Sequence, residues 1–392
     1  MHTEFDAVVV GRGLVGMAAA RALAINGMRV ALVGPKPVAP PLSDEPDLRV
    51  YALSPGSIAM LNELKVWGAL DASRVAAVNA MRVFSPRAAE LAFDAKDVAT
   101  DSLNYVVEHN NLLQALDQAL TFSSANFYIE KVVKFEQAKR FASVFLESGQ
   151  ELRAKLVVAA DGVDSPMRGF GNMLVERKEY GDVALVANLD VAIAHQNEAW
   201  QWFCDDGVIA FLPMAGSHQM SLVWSGSEAI SEYSSEHIAS ELTRISAGVL
   251  GKVRVSTKTK TFPLQWLKAA EIVAPRMVLL GDAAHCMHPL AGQGLNLGFG
   301  DLASLLQLLK HRLAGQDIGD ARFLRQYQRM RAEPVDTMLF VTDQLHAIFA
   351  KVPASVPERA FRAAALIGWS QLARSNPIAR QIRKQLTKHA LT

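Results

Sequence analysis

The chain has 392 residues, half of them hydrophobic, with two cysteines and a formal net charge of +1. That length supports a large core shared by two domains, and the near-neutral balance argues against bulk nucleic-acid binding. Cys204 and Cys286 lie far apart and form no C-x-x-C pair, which argues against a disulfide framework or zinc site and fits a reducing cytoplasm.

The first apolar run is short. Asp6 and Arg12 interrupt it, so it does not read as a signal peptide, and no stretch of about 18 uncharged apolar residues is present to span a membrane. Ala7–Val10 reads as a strand. Gly11-Arg12-Gly13-Leu14-Val15-Gly16 follows, then a helical run from Met17 to Asn26, a C-cap candidate in Gly27, and a second strand, Arg29–Val33. This is G-x-G-x-x-G in its strand–turn–helix–strand setting. Gly11 permits the tight turn, Gly13 lets the backbone approach a pyrophosphate, and Gly16 lets the helix pack closely on the strand. An ordinary glycine turn is the plain alternative, and the flanking elements weaken it. The fingerprint usually ends with Asp or Glu at the tip of the second strand, against the ribose hydroxyls. Here that position is Gly34, and the nearest carboxylates, Asp44, Glu45 and Asp47, lie in a Pro-rich loop. The sequence leaves open what replaces them.

Residues 1–175 read as the larger part of a dinucleotide-binding domain, to which the buried strand Leu156–Ala160 returns, ending at Asp161-Gly162. Residues 176–272 differ. Strand-like runs recur at Val183–Val191, Trp200–Phe203, Val208–Leu212 and Gln219–Trp224, with a helical stretch from Glu236 to Val249. That pattern predicts an antiparallel sheet, a floor for a bulky substrate. Trp202, Phe203, Phe211 and Trp224 are candidates for an aromatic pocket wall, although aromatics in strands more often belong to the core.

Residues 273–340 return to the first domain. The apolar run Met277–Leu280 leads into GDAAHCMHPLAGQGLNLGFGD, Gly281 to Asp301, and then into a Leu-rich helix. A Gly-Asp at a strand end and a glycine-rich loop opening a helix point backbone N–H groups and a positive dipole end at a group carrying negative charge. His285 and His288, near Asp282 and Cys286, invite a metal reading, but no second-shell pattern accompanies them and no metal is assigned. Residues 341–392 read as a helical segment. From Lys351 to Thr392 there are eight Lys or Arg against the single Glu358. Apolar residues at helical spacing make two readings open: a basic amphipathic face on an anionic membrane, or a solvated face packed on its own domain.

Four blocks together resemble the ubiquinone-biosynthesis flavin hydroxylases, class A FAD-dependent aromatic monooxygenases of the p-hydroxybenzoate hydroxylase fold. They are Gly11–Gly16, the run Asp47–Ser54 around Arg49, Ala160–Arg168 (A-D-G-x-x-S-x-x-R) and His288–Asp301 (H-P-x-A-G-Q-G-x-N-x-G-x-x-D). The last is the most specific, and the first is shared with many unrelated proteins. Gly34 departs from the pattern, as does Asn110–Asn111, where relatives often carry arginine. The resemblance implies an α/β fold: a Rossmann-like FAD-binding domain with a parallel sheet, an antiparallel-sheet substrate domain and C-terminal helices. It implies FAD held by Gly11, Gly13, Gly16, Arg49, Asp161, Asp282, Pro289, Gly292, Gly294, Leu295 and Asn296. Only one dinucleotide fingerprint is present, which fits NAD(P)H as a transient electron donor.

The implied reaction uses O2, through a hydroperoxyflavin, to hydroxylate the ring of a polyprenylated phenol or benzoquinol in ubiquinone biosynthesis. The protein orients the ring and excludes water, and no catalytic acid–base residue is assigned. Pro289 and the loop through Gly292 would face the reacting edge. A lipophilic substrate suits a cytoplasmic protein whose basic end touches the inner membrane face, and a biosynthetic assembly is a natural partner. The alternatives are a flavin monooxygenase of another aromatic compound, or a non-catalytic flavoprotein subunit of such an assembly.

Overall fold

The structure is a computed structural model that describes residues 3–37, 42, 45–84, 90–98, 100–204, 207–287 and 294–350. His288, Pro289 and Gly292, and the basic stretch Lys351–Thr392, lie outside the described residues.

In chain order the first stretch gives β1 (Thr3–Val10), α1 (Leu14–Ile25), β2 (Val30–Val33), β3 (Val50–Leu53), α2 (Pro55–Glu63), β4 (Val75–Val78), β5 (Ala80–Phe84), β6 (Glu90–Asp94) and β7 (Asn104–Glu108). It continues with α3 (His109–Thr121), β8 (Asn126–Tyr128), β9 (Val132–Gln137), β10 (Ala142–Leu146), β11 (Glu151–Ala159) and α4 (Pro166–Phe170). Then come β12 (Val175–Val191), β13 (Glu198–Cys204), β14 (Gly207–Pro213), β15 (Gln219–Ser227), α5 (Ser235–Ile245), β16 (Val253–Val255) and β17 (Lys260–Ala269). The last are β18 (Val273–Ala274), β19 (Met277–Leu279), β20 (His285–Cys286), α6 (Gly294–Lys310) and α7 (Ala321–Ala350).

Parallel strands buried on both faces need unbroken apolar runs rather than alternation, and β1 and β2 supply them. Ala7 and Val9 of β1 point into one core with α1, α3 and α6, while Val8 and Val10 point into another under the β9–β10 hairpin. The sheet runs β18-β19-β11-β1-β2-β8, with β1 parallel to both β11 and β2, and with β10 and β9 added antiparallel beside β11. Gly27, at φ +78°, follows the end of α1 as expected of a C-cap residue.

A second, larger sheet runs β20-β17-β12-β15-β14-β13-β5-β6, with β16 beside β12. Its pairs are antiparallel except β13 with β5. Strands β5 and β6 come from early in the chain and β20 from residues 285–286. One face of this sheet packs on α5. That helix is capped by Ser234, whose hydroxyl accepts from His237 N, and it stops four residues before the Val249 expected from sequence. Positive φ at Ala247 and Gly248 turns the chain away from a further helical turn. A three-stranded sheet, β3-β7-β4, lies between the two large ones, and its Val50, Ala76, Val78 and Val106 pack with Ala199 and Leu212 of the second sheet. The architecture is the one expected: a parallel α/β domain, an antiparallel sheet and helices at the C-terminal side.

The end of β19 is fixed from α6. Asp301, fully buried, accepts from Gly281 N (2.8 Å), from His285 Nε2 (2.8 Å) and from Arg331 Nε of α7 (2.7 Å). Burial pushes this carboxyl up, but His285, Arg331 and the Gly281 amide outweigh it and hold it below its usual range. Its stabilisation is therefore full at neutral pH and is lost as pH falls through the lowered folded value. Removing one partner of a buried charge cluster strands the others, so Asp301→Ala should cost about 3–5 kcal/mol. Urea unfolding at pH 7 measures that loss, and the difference from wild type should shrink in acid.

Candidate functional site

The glycines of the first turn are held by hard contacts. Gly11 has φ +110°, and a Cβ there would lie 2.1 Å from Ala160 O. A Cβ on Gly16 would lie 2.1 Å from Gly11 O, which is the close helix–strand approach that the fingerprint anticipates. Gly13 is different: nothing lies within 4 Å of the place its Cβ would take. Gly13 is also the N-cap of α1 and provides no side chain to its first-turn amides. Those amides have no intrahelical partner, so the turn offers open space, N–H donors and a positive dipole end together.

Asp161 stands beside this turn at the end of β11. One carboxylate oxygen accepts from Met167 N (3.0 Å), and the other, Oδ1, is buried without a partner. Burial raises its pKa. Ser165 caps the short α4 by accepting from Arg168 N, and the buried Arg168 reaches across to donate to Ala283 O (2.8 Å) and to Val163 O. The A-D-G-x-x-S-x-x-R block thus clamps the loop after β11 to the loop after β19. Sequence reasoning recognised the block but not this work of Arg168.

Gly281, at φ +59°, turns the chain after β19, and its Cβ position faces Val15 of α1 at 3.3 Å. A Cβ on Gly298 of α6 would meet the same Val15 at 2.8 Å. The first turn, the Gly-Asp turn and α6 therefore converge on one small side chain. Asp282 is exposed, yet burial still raises its pKa, against the pull of His285 and Arg49. A group open to solvent and crowded by protein at once sits on the floor of an open cleft. Cys286 nearby is pushed up to about 12, first by burial and then by Asp282, so its thiol is inert at neutral pH.

Arg49 is exposed, with its guanidinium 5.4 Å from the Tyr51 ring centroid. Tyr51 OH lies 3.0 Å from His109 Nδ1, and burial pushes the phenol to about 12. Both Arg49 and Asp282 act electrostatically on Tyr51, so the start of β3 and the Gly-Asp turn lie near one another. The loop before Arg49 is tied down by Asp47, which accepts from the backbone and the side chain of Asn110, each at 2.6 Å. Asn111 exchanges hydrogen bonds with the Asp71 backbone. The two asparagines that depart from the family pattern thus brace the loop and its neighbour.

Asn296 belongs to the same bracing. Its Oδ1 accepts from Ser54 N and Ser57 Oγ, and its Nδ2 donates to Ala52 O, so its amide locks α6 to β3 and α2. Gly294 starts α6, and Leu295 packs partly buried on the first core. Pro289 and Gly292 lie outside the described residues. The structure brings Gly11, Gly13, Gly16, Asp161 and Asp282 to the C-terminal ends of the parallel strands β1, β11 and β19, where such folds bind ligands, while Arg49 comes from the start of β3 in the antiparallel three-stranded sheet. Among the described residues no cluster of three or more His, Cys, Asp or Glu is arranged to hold a metal.

The four aromatic candidates divide between faces. Trp202, Phe211 and Trp224 point toward α5 and belong to its core. Trp202 stacks on Phe84 and meets Phe211 edge-on, and Trp224 meets Tyr233. Phe203, buried, alternates to the opposite face. That face is the one next to the cleft: Asn188 donates from it to the backbone oxygens of Pro46 and Asp47, and Leu212 packs with Val50. A partly open row crosses it, Val186 beside Val223 beside Ala210. Sequence reasoning missed this row. The signal was the regular alternation of small residues with aromatics.

An uncapped helix start and an open glycine fit the pyrophosphate of a dinucleotide, with a second sheet beside them; that defines a dinucleotide-binding enzyme. Residues 4–340 match the FAD-binding domain family, so the chain belongs to the class A flavoprotein aromatic monooxygenases and is related to ubiquinone-biosynthesis hydroxylases. It is 32% identical to 3-demethoxyubiquinol 3-hydroxylase of Escherichia coli, over 83% of this chain and 85% of that one. It is 31% identical to the human mitochondrial ubiquinone biosynthesis monooxygenase COQ6, over 89% and 86%. Among solved structures, p-nitrophenol 4-monooxygenase PnpA of Pseudomonas putida superposes with TM-score 0.75 at 18% identity, covering 100% of this chain and 99% of that one. HpxO of Klebsiella pneumoniae, complexed with FAD and uric acid, gives 0.72 at 19%, covering 99% and 96%.

Two glycine substitutions separate fold from binding. Gly13→Ala meets no protein atom, so thermal unfolding of the apoprotein should match wild type while FAD affinity falls about tenfold or more through the lost backbone approach. Gly11→Ala must displace backbone at Ala160 from a positive-φ position and should fail to fold to the native state, as circular dichroism would show.

Proposed function

We propose that this FAD-dependent monooxygenase hydroxylates the ring of a polyprenylated phenol or benzoquinol in ubiquinone biosynthesis, with NAD(P)H as electron donor and O2 as oxygen source. The observation that carries the reading is the row Val186–Val223–Ala210: an uncharged strip on the sheet face to which Asn188 fastens the loop before Arg49. Such a floor suits an electron-rich ring that bears an apolar tail. Relatives named for ubiquinone hydroxylation, matched over most of their length, support the same substrate class.

FAD, when bound, supplies the redox chemistry: it accepts a hydride and activates O2 for transfer of one oxygen atom to the ring. The chain's own share is positional. The α1 start and Gly13 take the pyrophosphate, Arg49 adds positive charge at the mouth, and Asp282 accepts from the ribityl hydroxyls. Gly294, Leu295 and Asn296 set the start of α6 against the flavin, and Pro289 and Gly292, which precede them in sequence, belong to the same cofactor motif. The apolar row seats the ring and keeps out water. Among the described residues no helix is long and apolar enough to cross a membrane. The charge of Lys351–Thr392 supports a peripheral contact with anionic lipid, which would bring the site to a substrate dissolved in the bilayer. A flavin monooxygenase of a different aromatic compound is the second reading, favoured by the likeness to PnpA.

The test is NAD(P)H oxidation by FAD-loaded protein with a short-tailed prenylphenol, with products read by mass spectrometry. The expected result is substrate-stimulated oxidation and a product heavier by one oxygen. Oxidation with no oxygen added to any such phenol would sink the reading. Val223→Phe overfills the row, so it should keep FAD and raise the KM for the prenylphenol about tenfold or more.

A further inference from the structure

Gly34 occupies the position where the fingerprint places a ribose-binding carboxylate. It has φ +145°, and a Cβ there would lie 3.4 Å from both Arg12 Cγ and Arg12 N. The side chain of Arg12, the second residue of the fingerprint, therefore runs over the tip of β2, through the space that a side chain at position 34 would enter. It is held from two sides. Its guanidinium carbon lies 5.5 Å from the Phe127 ring centroid on β8, and its Nη2 lies 3.8 Å from Asp117 Oδ1 on α3. Lys36, just beyond β2, places Nζ 3.8 Å from Asp117 Oδ2.

The hydrogen bonding of this cluster is incomplete. The Arg12 side chain is 4% exposed, and its Nε and Nη1 are buried with no partner. Unpaired buried guanidinium N–H groups are expensive to keep unless an acceptor arrives. Asp117 is 38% exposed at its side chain, and both cations stay beyond hydrogen-bonding distance of it. Part of its carboxylate is thus open to solvent, where a hydroxyl donor can reach it. An acid is thus absent from β2, an arginine fills the vacated space, and a carboxylate is delivered to the same corner from α3.

We propose that Asp117 holds the adenosine ribose of FAD by accepting from its hydroxyls, with the buried Arg12 guanidinium as the positioning cation behind it. This rests on FAD being the cofactor. Gly34 suits the arrangement, since its φ of +145° strains any other residue and a Cβ there would rest directly against Arg12.

The test uses the apoprotein with adenosine diphosphate and its 2′,3′-dideoxy analogue as probes, alongside FAD, by calorimetry. Wild type should prefer the hydroxylated probe by about tenfold or more, the worth of a charge-assisted hydrogen bond. Asp117→Asn should erase that preference, weaken FAD by a similar factor and leave the thermal midpoint of the apoprotein in place. Arg12→Ala should act in the same direction, and adding it to Asp117→Asn should cost little more. A wild type indifferent to the ribose hydroxyls, or an Asp117→Asn variant that keeps the full preference, overturns the proposal while leaving FAD binding intact. A wild type that binds neither FAD nor adenosine diphosphate overturns the cofactor reading with it.

Discussion

The buried carboxylate of Asp301 is the point on which the site depends. It takes hydrogen bonds from Gly281 in the Gly-Asp turn, from His285 in β20 and from Arg331 in α7. A turn at a strand end is otherwise a soft element. Here one side chain from α6 sets where Gly281 sits, and Gly281 sets where Asp282 faces. Arg168 grips the same turn from the opposite side through Ala283 O. With Val15 wedged between Gly281 and Gly298, the place of the Gly-Asp turn is defined by three elements at once. Rigid support of this kind is what positions a cofactor within the tolerance that its chemistry needs.

The second sheet divides its labour by face. Large aromatics on one side pack against α5, while Val186, Val223 and Ala210 on the other stay partly open. Strand alternation makes the two demands independent: exchanging Val223 need not disturb Trp224, its neighbour in sequence. The polar residues on the cleft side do bracing work too, since Asn188 fastens the loop that carries Arg49.

Much of the fold was legible because it rests on short-range patterns. Ala7–Val10, the glycines after it and the strand runs of 183–224 each declare their own geometry through burial period and turn residues. The family blocks likewise marked the neighbourhood of the cleft. What the sequence hid was side-chain direction and long-range pairing. Trp202, Phe211 and Trp224 carry the chemistry of a pocket wall, but their register turns them to the core. Asn296 sits in the most specific motif, yet its amide is engaged by β3 and α2, more than two hundred residues away. Asn110 and Asn111 read as losses until the structure showed Asp47 and Asp71 as their partners. No local signal encodes such contacts. They follow from the sheet order.

The same sheet order limits how a protein of this build can change. The floor takes strands from residues 80–94, from the continuous stretch 175–269 and from residues 285–286, after the chain has already returned to the parallel sheet. Strand β12, 17 residues long, pairs with β15, β16 and β17 along its length. The floor is therefore woven into its neighbour and is not a cassette that recombination can lift out and replace whole. A change of ligand is most directly made by point exchange on the face opposite α5, which leaves the weave of strands intact.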